Sequence, residues 1–185
     1  MTLPIIGGVL LALVAFGVIA FNKLRKADIG AQEGIAGIDV QLTRRADLIP
    51  NLVETVKGYA EHEKSVLENV TAARARVQQA ATGKDVAEKA AADAQLSQAL
   101  VSLNATAEAY PDLKANENFR DLQKQLAETE NQVSFARQYY NDAARTVNQL
   151  VRTLPWMLFA GVAGVSERPF YEAPAGQENP PKVEF

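Results

Sequence analysis

The stretch RRADLIPNLVETVKGYAEHE, residues 44–63, decides how this chain folds. Its apolar residues recur at steps of three and four, the pattern of an amphipathic helix, although it also contains Pro50 and Gly58. A helix beginning at Pro50 would have Ile49 as its N-cap, and isoleucine is a poor N-cap residue. We therefore interpret Pro50 as a kink inside a helix. The polar residues beside it are then expected to contact the rest of the bundle, a second copy or another protein.

The same spacing continues on both sides of this stretch. It runs from Ile35 to Val77, and only Arg45 and Glu63 interrupt the apolar positions. A 3.5-residue repeat of this length predicts one long helix with coiled-coil-like packing. This helix is predicted to end at Gly83, with the glycine in the left-handed conformation of a C-cap.

Two further long helices are predicted after the turn at residues 82–85. Asp85, with Glu88 three residues later, is a suitable cap for a second helix over about 86–110. Asn116 is a suitable start for a third helix over about 117–154, whose apolar residues follow the same spacing. The prolines that end the two helices are Pro111 and Pro155.

The lengths of these helices do not match. At about 1.5 Å per residue the first could reach roughly 75 Å, whereas the second covers under about 40 Å. Either the first helix bends or a second copy of the chain covers the remaining apolar positions, which makes a homo-oligomer the expected state. The residues at which the helix could bend are Gly30, Gly34, Gly37, Pro50 and Gly58.

The N-terminus predicts a membrane span. Residues 3–21, LPIIGGVLLALVAFGVIAF, are uncharged, and about 20 apolar residues are needed to cross the hydrocarbon core as a helix. No side-chain cation precedes the run, whereas Lys23, Arg25 and Lys26 follow it, which is the pattern of an anchor and not of a cleaved signal peptide. The positive-inside rule predicts a single-pass protein of the bacterial inner membrane, with its N-terminus outside and the following domain in the cytoplasm.

The C-terminal part contains a second apolar run. Residues 156–165, WMLFAGVAGV, are too few to span a bilayer, and they suit a short helix that packs on the bundle or lies in the membrane interface. The last segment has four prolines and little helical periodicity, so we expect extended structure there. Its aromatic and aliphatic residues that could dock are Phe170, Tyr171, Val183 and Phe185.

These patterns predict an all-α protein with an N-terminal transmembrane helix and an antiparallel bundle of three long helices plus a short C-terminal helix. The predicted segments are a short outside N-terminus, the transmembrane helix, a basic and glycine-containing juxtamembrane hinge, the helical bundle domain and an extended tail. Their bounds are 1–2, 3–21, 22–34, 35–165 and 166–185.

The composition excludes several classes of site. The chain has no cysteine, so disulfides, thiolate metal sites and cysteine nucleophiles are excluded, and a net charge of -3 argues against a nucleic-acid partner. The single histidine, His62, has no further ligands at helical spacing around it, so we predict no metal site and no hydrolase triad. No cofactor is expected and no catalytic residue is assigned. The carboxylates that could pair, Glu54 with Glu61 and Glu128 with Glu130, are interpreted as belonging to solvated helix faces.

Polar residues inside the predicted helices are the candidate interaction residues. Asn and Asp are mediocre helix formers, so their presence within a helix indicates either a surface face, a buried polar network or a face that binds a partner. The candidates are Asp39, Arg44, Arg45, Asp47, Asn131, Arg137 and Asn141.

Several longer blocks of the chain resemble the LemA family. They are IDVQLTRRADLIPNLVETVKGYAEHE at 38–63, VTAAR at 70–74, YPDLKANENFRDLQKQLAETEN at 110–131, RQYYNDA at 137–143, PFYEA at 169–173 and PKVEF at 181–185. The resemblance implies a short outside N-terminus, one membrane span and a cytoplasmic bundle of long antiparallel helices. It implies no enzyme activity and no catalytic residues, and it is consistent with a membrane-tethered scaffold.

The sequence thus predicts a non-enzymatic membrane scaffold or adaptor that self-associates or recruits another membrane protein. Two alternatives stay open: a membrane-remodelling or envelope-stress protein that uses WMLFAGVAGV, and an enzyme or the regulatory subunit of an enzyme such as a membrane protease.

Overall fold

A computed structural model describes residues 2–172 of the chain, with side chains from residue 5 onward. All regular structure in that part is α-helical, which confirms the all-α prediction. The predictions for residue 1 and for residues 173–185, including the docking of Val183 and Phe185, lie outside the described residues. The helices are α1 (Thr2–Lys57), α2 (Lys64–Thr82), α3 (Val86–Ala107), α4 (Pro111–Ala115), α5 (Glu117–Arg152) and α6 (Met157–Ala163).

Helix α1 is 56 residues long and includes the predicted membrane span. Its apolar N-terminal part is long and apolar enough to cross a membrane, and most of the side chains described from residue 5 to residue 21 are exposed. Residues 22–34, for which the sequence predicts a hinge, are helical, and Pro50 lies inside the helix. The predicted division of the chain into five segments stays a prediction.

The chain reverses direction at residues 58–63, and the prediction of one continuous helix through Val77 is therefore wrong. Gly58 follows the last residue of α1, and α2 begins only at Lys64. The heptad positions within and just after the reversal are not in the core: Tyr59 is 43% exposed, and Glu63 is only partly buried. Glycine weakens a helix at this point, and packing of α2 back along α1 covers the apolar positions that a continuous helix would leave uncovered.

The described chain forms two compact units, each of which has its own core. The anchor unit consists of residues 2–35 and 138–170, and the bundle unit consists of residues 36–137 with 171 and 172.

The bundle unit is an up-down-up-down arrangement of four helical segments. Three side-chain contacts indicate that neighbouring helices are antiparallel, because each joins residues at similar distances before and after the connection between the two helices. Arg74 of α2 contacts Ala46 of α1, and Arg76 of α2 contacts Gln95 of α3. Gln123 of α5 likewise contacts Asn104 of α3.

The core of the bundle unit is formed by the residues that the heptad pattern predicts. The buried positions on α1 are Ile38, Leu42, Ile49, Leu52 and Val56, and those on α2 are Val70, Ala73 and Val77. On α3 they are Leu96, Leu100, Leu103 and Ala107, and on the first part of α5 they are Phe119, Leu122, Leu126 and Val133. Burial of these side chains is the main term that stabilises the unit.

The turn between α2 and α3 differs from the prediction at one residue. Gly83 has φ -77° and ψ 173°, so the predicted left-handed cap is wrong. The side chain of Lys89 instead donates to the carbonyl oxygens of Ala80 and Ala81, both at 3.0 Å, and takes over part of the role of a C-cap. The predicted N-cap is confirmed, because the Asp85 carboxylate accepts from the Ala87 amide at 2.8 Å.

The start of α5 is also capped as predicted, since Asn116 Oδ1 accepts from the Phe119 amide at 3.0 Å. Pro111 is the first residue of the short helix α4, a position that tolerates the missing N–H.

The anchor unit is held together by α1, the second half of α5 and α6. Its buried apolar residues are Leu24, Ala31, Val147, Leu150, Ala163 and Val165. Gly34 lets the helices α1 and α5 approach closely, because a Cβ atom there would lie 3.0 Å from Tyr140 Cα. Gly164, with φ 65°, ends α6 in the left-handed conformation that glycine adopts without strain.

The segment after α6 is fixed by polar contacts within the anchor unit. Asn148 accepts from the Arg168 amide at 2.7 Å and donates to the Arg168 carbonyl at 2.9 Å. The Arg168 guanidinium donates to the buried carboxylate of Asp28 through Nη2 at 2.6 Å, and the Tyr140 hydroxyl donates to the Pro169 carbonyl at 2.7 Å. These contacts explain how an irregular segment keeps a defined path.

The carbonyl group that Pro50 leaves without an intrahelical donor receives a hydrogen bond from the neighbouring helix. A proline has no N–H, so the carbonyl four residues earlier, that of Ala46, lacks its intrahelical donor. Arg74 Nε donates to this carbonyl at 3.1 Å. The arginine of the VTAAR block thus satisfies the acceptor that the proline leaves open.

We predict that Arg74 and Pro50 are energetically coupled. Arg74→Ala should lower the free energy of unfolding by about 1 kcal/mol, and by less in a Pro50→Ala background, where the amide of residue 50 serves the carbonyl. Urea denaturation of the four chains of this cycle in detergent, followed by helical circular dichroism, measures the difference. Arg76→Ala is the control, because it removes an arginine that contacts Gln95 and not the Ala46 carbonyl, and it should cost the same in both backgrounds. An equal cost of Arg74→Ala in both backgrounds would contradict the coupling.

Candidate functional site

A buried carboxylate lies at the centre of the bundle unit. Asp93, in the middle of α3, is 0% exposed. Its Oδ1 accepts from Arg45 Nη1 at 2.9 Å, and its Oδ2 accepts from Arg137 Nη2 and from the Tyr171 hydroxyl, the latter at 3.1 Å. An isolated charge at such a position would be very costly, so these donors are a condition for burying it.

Glu130 of α5 completes the charge balance. Its Oε2 lies 2.7 Å from Arg45 Nη1, and its Oε1 lies 3.9 Å from Arg137 Nη2. Two guanidinium groups therefore face two carboxylates. We call Arg45, Asp93, Glu130, Arg137 and Tyr171 the buried ionic cluster after its buried centre, Asp93. The side chains of Arg137 and Glu130, at its edge, are 28% and 40% exposed. The cluster joins α1, α3 and α5 to Tyr171 within the bundle unit.

The hydrogen bonding of the cluster is incomplete. The Nε groups of Arg45 and Arg137 are buried and have no hydrogen-bond partner among the described residues. The short approach of Arg45 to Glu130 Oε2 has the distance of an ion pair but lacks hydrogen-bond geometry. Buried pairs of this kind repay their desolvation cost only partly. The cluster therefore favours one arrangement of the helices more than it adds to stability.

The surroundings of Tyr171 and Arg137 raise the pKa of both side chains. Burial raises the pKa of the Tyr171 phenol, and the Asp93 carboxylate raises it further, so the phenol stays neutral and donates. Burial acts to lower the pKa of Arg137, but the charge and hydrogen bond of Asp93, together with Tyr171 and Glu130, outweigh burial, and the pKa is raised. The Arg137 guanidinium also lies 5.5 Å from the centroid of the Tyr171 ring, within the range of a cation–π contact.

A second ion pair joins α1 to the end of α2. Lys89 is 1% exposed, and its Nζ lies 2.5 Å from Asp39 Oδ1 in addition to the two carbonyl oxygens at the end of α2. Burial raises the pKa of Asp39, and the ammonium group of Lys89 acts in the opposite direction. The pair links the α2–α3 turn to α1.

The seven predicted interaction residues do not form one surface. Arg45 and Arg137 belong to the buried ionic cluster, and Asp39 pairs with Lys89. Asn141 is partly buried in the anchor unit, and the exposed candidates are Arg44, Asp47 and Asn131. A role of any of them in binding a partner stays a prediction.

Two buried charges of α3 were missing from the candidates, although the sequence contains a signal for both. Continued backward from Leu96, the spacing of three and four residues on α3 reaches Asp93, Lys89 and Val86. Both charges therefore occupy positions that face the core, which distinguishes them from charges on a solvated face. Glu130, interpreted from the sequence as part of such a face, has a side chain that is 40% exposed, and it also forms an ion pair with Arg45 that the sequence interpretation did not include.

In the buried ionic cluster the arginine and carboxylate charges neutralise each other. Each carboxylate faces a guanidinium, and His62 is exposed in the loop between α1 and α2. No group of three or more potential metal ligands occurs among the residues with described side chains. A cleft of about 280 Å³ borders the cluster at Arg45, Ser97 and Glu130, so this side of the cluster is accessible from the surface.

Comparison with known proteins agrees with the helical fold and the sequence blocks. The model of the LemA family matches residues 34–185, which is most of the chain. The chain belongs to the LemA family. The family match and the similar curated proteins support a membrane-associated protein of the LemA type, and the apolar N-terminal helix agrees with this.

The chain is also similar to curated members of this group. It is 24% identical over 189 residues to the magnetosome protein MamQ 2 of Paramagnetospirillum magneticum, covering 89% of this chain and 70% of that protein. It is 25% identical over 170 residues to the magnetosome protein MamQ of Magnetospirillum gryphiswaldense, covering 79% of this chain and 62% of that protein. The similarity thus extends over most of the chain.

We predict that Asp93→Asn destabilises the protein strongly. The amide keeps the size of the side chain but leaves two guanidinium groups, the buried one of Arg45 and the partly buried one of Arg137, opposite one carboxylate. Breaking a buried pair costs about 3–5 kcal/mol. Urea denaturation of the detergent-solubilised chain measures the loss. Asp47→Asn is the matched control, because Asp47 is an exposed aspartate on α1, where a change within about 0.5 kcal/mol is expected. Equal effects of the two substitutions would show that the cluster is not a constraint.

We predict that Tyr171 makes the free energy of unfolding fall at alkaline pH. In the unfolded chain a tyrosine ionises near pH 10, whereas the raised pKa keeps the folded phenol protonated, so the unfolded state binds fewer protons above that pH. Stability should therefore fall above pH 10, by up to about 1.4 kcal/mol per pH unit from this group. Tyr171→Phe should remove this contribution. The two chains are compared by urea denaturation between pH 9 and 11, and identical pH slopes would contradict the prediction.

Proposed function

We propose that this protein is a membrane-anchored, non-enzymatic scaffold that self-associates through a groove of the bundle unit. The anchor is residues 3–21, in a single-pass arrangement in the bacterial inner membrane. The cations Lys23, Arg25 and Lys26 support a cytoplasmic bundle and an outside N-terminus. The carboxylates of the buried ionic cluster are paired with its arginines, which supports a structural role for these charges.

The observation that carries this proposal is a groove between the end of α1 and the start of α2. It has a volume of about 680 Å³, and its apolar lining consists of Val53, Leu67, Ala72 and Ala75. Ala72 and Ala75 are exposed although they lie one turn apart on α2. Small exposed residues on one helix face allow another helix to approach closely.

The charges beside the groove alternate in sign. Lys57 and Lys64 are positive, whereas Glu61 and Glu68 are negative, and all four are exposed. A surface with equal numbers of both charges can pair with itself across a two-fold axis, because each cation of one copy then faces an anion of the other. This self-complementarity favours a second copy of the chain as the occupant.

Recruitment of another membrane protein is the second candidate. An amphipathic helix of an adaptor target, or of a membrane protease that this chain would regulate, could occupy the same groove. The charge pattern favours self-association, because a foreign helix has no requirement for equal numbers of both charges. The reversal at residues 58–63 removes the argument for a dimer from uncovered heptads, so the groove alone supports the interface.

Charge exchange tests this proposal in the full-length chain. The basic variant carries Glu61→Lys and Glu68→Lys, and the acidic variant carries Lys57→Glu and Lys64→Glu. Each variant alone should lose self-association, because like charges then meet across the interface, whereas the two variants together should pair. Coexpression with two different affinity tags, followed by mild-detergent capture, measures both.

A matched control carries the same charge change outside the groove, as Asp121→Lys with Glu128→Lys on the exposed face of α5. It should self-associate like the unchanged chain. Self-association of the basic variant at the unchanged level would reject the groove as the interface. A strictly monomeric unchanged chain that captures one other membrane protein through the groove would replace the scaffold by an adaptor.

A further inference from the structure

The turn after α5 and the helix α6 expose a continuous run of apolar side chains. We call residues 154–162 the apolar corner. Its exposed members are Leu154 at 69%, Met157 at 46%, Leu158 at 69% and Val162 at 79%. The chain has no charged residue between Arg152 and Glu167, and these two residues pair with each other. Such a surface would be unfavourable in water.

The apolar corner packs directly against the membrane-spanning part of α1. The ring of Phe16 lies 6.0 Å from the ring of Trp156 and 5.8 Å from the ring of Phe159, measured between centroids. The Phe159 ring also lies over Gly17, since a Cβ atom at this residue would be 3.4 Å from the ring, in van der Waals contact. The contact partners of the corner are therefore residues inside the predicted span and not residues beyond its end.

The depth of the corner follows from these contacts. Phe16 precedes Lys23, the first charged residue after the span, by seven positions, or about 10 Å along a helix. Lys23 Nζ lies 4.1 Å from the centroid of the Trp156 ring, so this aromatic ring and the first cation are at one level. Tryptophan and lysine are typical of the membrane–water interface. The corner thus extends from that interface toward the hydrocarbon.

We propose that the apolar corner is embedded in the bundle-side leaflet of the membrane, where lipid acyl chains cover its exposed residues. Interfacial helices bury their apolar faces about 5–10 Å into the boundary between headgroups and acyl chains, which matches the depth set by Phe16. The protein then has two lipid contacts on the same side, the span and the corner beside it.

Lipid is favoured over another occupant because the exposed apolar surface of the corner continues into the exposed apolar surface of the span. Residues of α1 on the same stretch, such as Val14 and Val18, are also exposed and apolar within the structure. A bilayer that covers these residues covers the corner at the same depth. This inference is independent of self-association through the groove. It supplies the membrane contact that the remodelling alternative requires.

Nitroxide labels on single introduced cysteines test the proposal in the full-length chain. The chain has no cysteine, so Leu158→Cys and Val162→Cys each give one labelled site. In proteoliposomes containing anionic lipid, relaxation of these labels by oxygen, which partitions into lipid, should exceed relaxation by a water-soluble nickel chelate several-fold. Val101→Cys on α3, which is 67% exposed in the bundle unit, is the control and should show the reverse order.

A second measurement needs no substitution. Trp156 is the only tryptophan of the chain, so its fluorescence reports on the corner alone. Lipids brominated near the top of the acyl chain should remove about half of its emission, because bromine quenches at contact and the ring lies at the interfacial depth.

Two outcomes would overturn the proposal. Labels at residues 158 and 162 that respond to nickel as strongly as the label at residue 101, together with no quenching by brominated lipid, would place the corner in water. Labels that respond to neither reagent and broaden each other between copies would show that a second chain covers the corner. Loss of self-association in the charge variants would change neither measurement, so the two proposals fail separately.

Discussion

The burial of the Asp93 carboxylate is the constraint on which the bundle unit depends. The carboxylate accepts from arginines of α1 and α5 and from the hydroxyl of Tyr171 in the segment after α6. A different rotation of either helix would leave a buried charge without its partner, at a cost larger than that of an imperfect apolar contact. Apolar burial supplies most of the stability, whereas the cluster selects the rotation and register in which that burial occurs.

A second constraint is that backbone carbonyl groups without an intrahelical donor need a hydrogen bond. Arginine and lysine side chains of neighbouring segments donate to them. Pro50 deprives the Ala46 carbonyl of its donor, and Arg74 replaces it. The end of α2 has no left-handed glycine, and Lys89 donates to its last carbonyls while it pairs with Asp39. In both cases a local departure from helix geometry becomes a contact between helices, which explains why charged residues occupy buried positions in this bundle.

Much of the fold could be predicted from the sequence, because periodic apolar residues report directly on burial. The caps at Asp85 and Asn116 were also predictable from short-range patterns. The reversal at residues 58–63 could not be predicted in this way, since Tyr59 and Glu63 continue the heptad spacing through the loop. For the site, the apolar periodicity of the first helix shows Arg45 as a charged residue at a core position. Its partner Asp93 on α3 can be found only when the apolar spacing of that helix is continued backward from Leu96. The groove depends on the reversal and therefore could not be predicted without it.

The two surfaces for which we propose partners differ in the physical basis of their binding. The groove carries four exposed charges around an apolar floor, and pairs of exposed charges are weak and screened by salt. The apolar corner carries no charge between residues 153 and 166, and its attraction for acyl chains depends on area and not on ionic strength. Attachment to the membrane is therefore expected to be constant under conditions that change self-association. A protein with these two surfaces would remain in the bilayer as single copies and assemble there reversibly, as a membrane scaffold requires.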